Sequence, residues 1–292
     1  MSPPRSYQTQ AIIIKQSKLG EFDKILTFYT PEFGKLKAVA KGACRPGSKL
    51  GGNVEPLTYS LMLLAKGRNL DIVTQSQTID GFPTLKSDLW CVSCGLYVLE
   101  LVDSFTMENN ENRPLFDLLL DTLHQLCQAD SNEIILRYFE LHLLHHLGYR
   151  PQLHCCAMCN SPLKPVVNFF SSSQGGILCP HCNSKENRHC EPFAFCHSER
   201  EKRPKNLAQD RHHKAISLKS SVPLSVDALK ILRLWQDCDY ATARRVKVKS
   251  ELSSELEQVL QCYIVHLLQR EIKSVSWLKE LKKPLDNHGE EN

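Results

Sequence analysis

The chain has 292 residues, 42% hydrophobic and 23% charged, the proportions of an ordinary globular protein of two or three modest domains. No apolar run reaches the roughly 18 residues of a membrane-spanning helix, and the opening MSPPRSYQTQ lacks the apolar centre of a secretory leader, so a cytoplasmic location is expected. The net charge of +4 is uneven: residues 1–81 hold eleven Lys and Arg against six Asp and Glu, which points to a polyanion-facing surface in that module.

The first module, 1–81, reads as strands. YQTQAIIIKQ, KILTFYT, GKLKAVAKG, PLTYSLMLLA and NLDIVTQSQTI are short, rich in Ile, Val, Thr and Tyr, and separated by Gly, Pro and Asn. In KLKAVAK, Leu36, Ala38 and Ala40 face one way and Lys35, Lys37, Val39 and Lys41 the other. Five strands in about eighty residues predict a small barrel, with the five-stranded OB-fold as the leading candidate and an SH3-like barrel as the other.

Near residue 82 the period changes to that of helices. SDLWCVSCGLYVLELVDSFT, PLFDLLLDTLHQLCQ (with Pro114 in a first turn) and SNEIILRYFELHLLHHLGY (with cap candidates Ser131 and Asn132) form a helical domain over 82–150. A cysteine lobe follows at 151–182. The polar, basic stretch 183–215 reads as a flexible insertion. Helices over 216–283 complete the body, with an apolar stripe of Leu252, Leu256, Val259, Leu260, Tyr263, Leu267 and Leu268, and 284–292 is a tail. The expected fold class is therefore α+β multidomain, an N-terminal five-stranded OB-fold barrel followed by an all-α domain with an embedded four-cysteine zinc lobe.

Thirteen cysteines, an odd number, in a reducing compartment argue for metal ligation and buried thiols over disulfides. Cys156-x2-Cys159 and Cys179-x2-Cys182 are two knuckles nineteen residues apart, the spacing of a four-cysteine zinc site. Four thiolates fill a tetrahedral shell and leave no position for water, so the expected zinc ion is structural. Cys155 is an alternative first ligand. A zinc deaminase needs His-x-Glu ahead of Pro-Cys-x-x-Cys; here His197-Ser198-Glu199 comes after, and the proline lies inside Cys-Pro-His-Cys. Cys91 and Cys94 read as core thiols in a helix, and His142, His145 and His146 lack the glutamate of a zincin. Cys190, Cys196 and His197 offer at most a second, weaker site.

No phosphate loop, nucleophile elbow or acid–base carboxylate pair is present, so the expectation is a protein without enzymatic activity. GKLKAVAKGACRPGSK instead supplies Lys35, Lys37, Lys41, Arg45 and Lys49 around mobile glycines, a ribbon suited to follow a phosphate backbone without reading bases. Phe22, Phe28, Tyr29 and Phe33 lie nearby as stacking candidates, most of them expected in the core.

LGEFDKILTFYTPEFGKLKAVAKGACRPGSKLGG, GRNLDIV, YVLELVD, LGYRPQLHCCAMCN and GGILCPHC together resemble the bacterial recombination mediator RecO family, over nearly the whole chain apart from the basic insertion and the last ten or so residues. The resemblance implies an OB-fold, a helical domain and a zinc lobe, in a cytoplasmic, nucleoid-associated protein. It implies binding of single- and double-stranded DNA, annealing of complementary strands, and work with RecR, RecF and the C-terminal tail of single-strand-binding protein to load RecA. Some members lack the zinc cysteines, and the long insertion departs from the family pattern. The competing expectation is a zinc-containing protein–protein scaffold to which DNA binding is incidental.

Overall fold

A computed structural model describes residues 5–126, 132–189 and 221–282. The N-terminal strands are β1 (Ser6–Leu19), β2 (Asp23–Thr30), β3 (Gly34–Ala40), β4 (Tyr59–Ala65) and β5 (Asp71–Asp80). They close into a barrel in the order β1-β2-β3-β5-β4. Closure depends on the fourteen-residue β1, which pairs with β4 through its first half and with β2 through its second, around a register shift between Ile13 and Lys15. β3 and β5 run parallel, Ala38 opposite Asp71; the other ladders are antiparallel. This is the OB arrangement expected from the sequence.

The run Ala11-Ile12-Ile13-Ile14 is apolar at every position because β1 is buried on both faces. Ala11 and Ile13 join Leu26, Phe28, Ala38 and Met62 inside the barrel, whereas Ile12 and Ile14 pack into the helical core. Alternate side chains of a strand point to opposite faces, so a strand between two cores loses its polar half.

The helical body comprises α1 (Pro83–Lys86), α2 (Leu89–Phe105), α3 (Arg113–Leu126) and α4 (Asn132–His146). Asp88 caps α2 by accepting from the Cys91 N–H at 2.8 Å, and Asn112 accepts from the Leu115 N–H at the start of α3. The predicted cap Ser131 and the side chain of Asn132 lie outside the described residues. The lobe follows as β6 (Asn168–Ser171), β7 (Gly176–Leu178) and α5 (Pro180–His189). Then come β8 (Val222–Leu224), α6 (Val226–Asp237), α7 (Tyr240–Ala243), α8 (Ser250–Leu268) and α9 (Lys273–Lys282). Leu256, Val259, Leu260 and Tyr263 of the predicted α8 stripe are buried in the same core as α2, α3 and α4. Among the described residues no helix is long and apolar enough to cross a membrane.

The barrel and the helical body meet closely. Gly34, at φ +65°, lies so near Asn110 that a Cβ there would stand 1.9 Å from its carbonyl oxygen, so glycine is required both by conformation and by space. Beside it the Asn109 N–H donates to the Lys35 carbonyl at 2.9 Å. Tyr59 of β4 sets its ring 6.1 Å from that of Phe116 on α3. Deeper in the body, Glu140 accepts from Arg137 and from the Tyr97 hydroxyl, each at 2.7 Å, and so joins α4 to α2.

Candidate metal centre and nucleic-acid interface

Each knuckle forms for a local reason. In the first, the Asn160 N–H returns to the Cys156 carbonyl at 2.8 Å, with Asn160 in the left-handed region (φ +55°) that its short polar side chain tolerates. The Ala157 N–H donates to Ile177 at 2.7 Å and ties this turn to β7. In the second, the proline that follows Cys179 opens α5, where its fixed φ and missing N–H cost nothing. Cys182 is therefore presented from the first turn of that helix.

The four sulfurs of Cys156, Cys159, Cys179 and Cys182 lie within 4.8 Å of one another, with Cys159 and Cys179 4.0 Å apart. Thiolates at 2.3 Å around one tetrahedral ion stand about 3.8 Å apart, so the residues present fit a single ion. The Cys179 N–H points at the Cys156 sulfur, 3.4 Å away. Ser161 draws the Cys159 thiol down to about 6 by hydrogen bonding, whereas desolvation pushes Cys182 up to about 12. Cys155 lies outside this group; its sulfur meets the Asn160 side chain at 2.9 Å.

The lobe does not end at Cys182, where the sequence reading placed its boundary. α5 runs on to His189, so 183–189 is helical, and β8 pairs along β6, Val222 opposite Phe170. Cys190, Cys196 and His197 fall outside the described residues. On α4, His142 Nε2 lies 2.9 Å from the Trp235 carbonyl, and the α4 histidines form no ligand group among the described residues. Cys94 is buried, and desolvation pushes its thiol up to about 12.

On the barrel, the five expected phosphate contacts divide. Lys35 is a correction: it is 7% exposed, and its ammonium reaches the Asp103 carbonyl at 2.6 Å and carboxylate at 3.2 Å. It is a seam residue, held by a partner 68 positions along the chain. Lys37 is exposed but lies 2.5 Å from the Glu108 carboxylate, which holds its ammonium above the usual range by hydrogen bond and charge. Lys41, Arg45 and Lys49 are exposed, and none makes an ion pair with a described residue.

These three cations ride on the turn after β3, which folds back onto the β1–β2 turn. The Gly42 N–H donates to Asp23 at 2.7 Å and the Cys44 N–H to the Phe22 carbonyl at 2.9 Å, while the Arg45 guanidinium lies 5.2 Å from the Phe22 ring centre. Phe22 is 44% exposed, so an aromatic face and the Arg45 cation share one edge. Phe33 is also exposed; Phe28 and Tyr29 are wholly buried. Sequence reasoning passed over Lys15 and Lys18, exposed and without a described ion-pair partner on the same strand β1. Their signal was position: they follow the end of the apolar Ile run, where the strand leaves both cores.

A closed five-stranded OB barrel, fused to a helical body that carries a four-thiol lobe, defines a class of OB-barrel proteins with an embedded knuckle pair able to hold one metal ion. Two family models match successive parts of the chain, Recombination protein O N terminal over residues 1–82 and Recombination protein O C terminal over 86–194. The chain is 35% identical to the DNA repair protein RecO of Dehalococcoides mccartyi (strain 195), over 97% of this chain and 99% of that protein. It is also 35% identical to the DNA repair protein RecO of Roseiflexus sp. (strain RS-1), over 96% and 88%, and 28% identical to that of Syntrophus aciditrophicus, over 97% and 99%. The chain belongs to the RecO family.

Proposed function

We propose that this protein is a DNA-binding mediator of recombinational repair that acts without catalysing a reaction. It holds single- and double-stranded DNA by the phosphate backbone, anneals complementary strands, and assists RecA loading with RecR. RecF and the C-terminal tail of single-strand-binding protein are further partners, and the compartment is the cytoplasm, at the nucleoid. The observation that carries this reading is the turn after β3, where the exposed Lys41, Arg45 and Lys49 make no ion pair with a described residue and Arg45 lies over the exposed ring of Phe22. Cations attract any phosphate backbone, and an aromatic face stacks on any base, so the edge suits sequence-tolerant binding. Lys37 joins it when phosphate displaces Glu108.

The ion is zinc, held by Cys156, Cys159, Cys179 and Cys182, since four soft thiolates in a tetrahedron favour it. It supplies folding energy to the lobe. The chain's own residues do the rest: Asn160 and Pro180 shape the two turns, and the Cys179 N–H supports the Cys156 sulfur.

The test is annealing of complementary oligonucleotides by the purified protein alone, across a salt series. Sequence-tolerant, salt-sensitive binding and annealing are expected. The combined change Lys41→Gln, Arg45→Gln, Lys49→Gln flattens the slope of log affinity against log salt by about 2 for single strands. Unchanged affinity and slope in that variant remove the assignment, and absence of annealing in the parent protein favours the protein–protein scaffold.

A further inference from the structure

Away from the barrel, four exposed cations fall in succession in the segment joining α7 to α8: Arg244, Arg245, Lys247 and Lys249. From Arg245 onward they alternate with Val246 and Val248, both half-buried, Val248 against the helical core. Lys249 is extended, at φ −70° and ψ 154°. Arg244 and Arg245 leave α7 in a turn, where the Arg245 and Val246 N–H groups donate to the Thr242 and Ala243 carbonyls at 3.2 Å each, so Val248 anchors the segment and the four exposed cations fall within six residues of one another as an outward row.

None of the four makes an ion pair with a described residue. Most nearby carboxylates are engaged elsewhere. Asp237 takes Arg150 at 2.6 Å, Asp239 accepts from the Thr242 N–H at 3.0 Å and feels Arg245 only through space, and Glu255 accepts from the Ser225 hydroxyl at 2.8 Å. Glu251, in the first turn of α8, is the exposed acid nearest in sequence to the row. An acidic peptide needs apolar pockets to fix its register, and here the apolar side chains face inward. A polynucleotide backbone needs only spaced positive charge.

We propose that the α7–α8 segment is a second phosphate-contacting surface for polynucleotide, separate from the barrel turn, so that one chain holds two strands at once. The barrel rests on the body through α2 and α3, whereas α7 packs on α4 and α6, so the two cation sets ride on different parts of it. The inference rests on the reading of the protein as a strand annealer and supplies that reading with a place for the second strand.

The experiment is a binding-stoichiometry titration with labelled single-stranded oligonucleotides of about ten nucleotides, short enough to occupy one surface, paired with annealing rates. The protein is expected to take two oligonucleotides per chain. The variant Arg244→Gln, Arg245→Gln, Lys247→Gln, Lys249→Gln takes one and anneals at least about tenfold more slowly, with zinc content and unfolding midpoint unchanged. The smaller change Lys247→Gln with Lys249→Gln weakens the second site in the same direction, and Arg244→Lys with Arg245→Lys keeps it, so loss of charge is distinguished from loss of fold.

Two oligonucleotides still bound by the quadruple variant, or one only on the parent protein, overturns the proposal. A quadruple variant that loses one oligonucleotide while the barrel triple variant loses none upholds it and removes the barrel assignment instead. If the triple variant binds poly-glutamate through this segment but no oligonucleotide, the surface docks an acidic protein and the proposal falls.

Discussion

The barrel and the cysteine lobe are both small, but they are held together differently. Inside the barrel, Ile13, Leu26, Phe28, Met62, Leu64 and Val73 form a closed apolar core. The knuckle end of the lobe buries chiefly Leu178 between Cys156 and Cys182. Burial at ~25 cal/mol per Å² holds the barrel through its own core and through Ile12, Ile14 and Tyr59 packed on the helices, whereas the knuckle end has little apolar surface to offset the entropy of ordering its turns. On the proposed reading, an ion bound by the four thiolates makes up for that small core; in small finger peptides such binding contributes on the order of 10–16 kcal/mol. A metal can thus stand in for packing where a chain is short, while leaving the working surface to another module.

The sharpest way to break this comparison is to remove one ligand. Cys182→Ser is expected to lower bound zinc from one ion per chain to a small fraction of one by elemental analysis and to expose the β6–β7 segment to protease. Full zinc retention would mean that the ion does not hold the lobe. Next in size is the barrel core. Phe28→Ala is expected to cost about 3–5 kcal/mol in denaturant unfolding, with zinc content unchanged. Zinc loss in that variant would mean that the two regions share one support.

The smallest effect concerns the barrel's edge. Glu108→Gln frees Lys37 from a half-exposed ion pair, and such pairs contribute roughly 0.2–1 kcal/mol. Single-strand affinity is therefore expected to rise up to about fivefold at low salt, and the gain to shrink as salt rises, by anisotropy titration. A fall in affinity would show Glu108 to be a structural support of the interface.

Much of this was legible in the chain because the signals are local. The alternation in KLKAVAK places Ala38 and Ala40 inside the barrel, and the paired Cys-x-x-Cys spacing brings four sulfurs together. The misses come from distant partners. Lys35 follows the exposed half of the pattern, yet Asp103 and Asn109, from the end of α2 and the loop after it, cover it. β8 belongs to the lobe through its pairing with β6 from more than fifty residues away, and no composition signal announces that. His189 ends a helix that the polar sequence of 183–189 reads as insertion, because its first turn is fixed by Pro180 and by Cys182 in the cluster.

Segment-resolved amide hydrogen exchange, with zinc present and after its withdrawal by a chelator, measures the division of labour directly. Residues 155–189 should lose protection by several orders of magnitude while β1 to β5 keep theirs within about twofold. Equal loss in both modules, or none in the lobe, would contradict it.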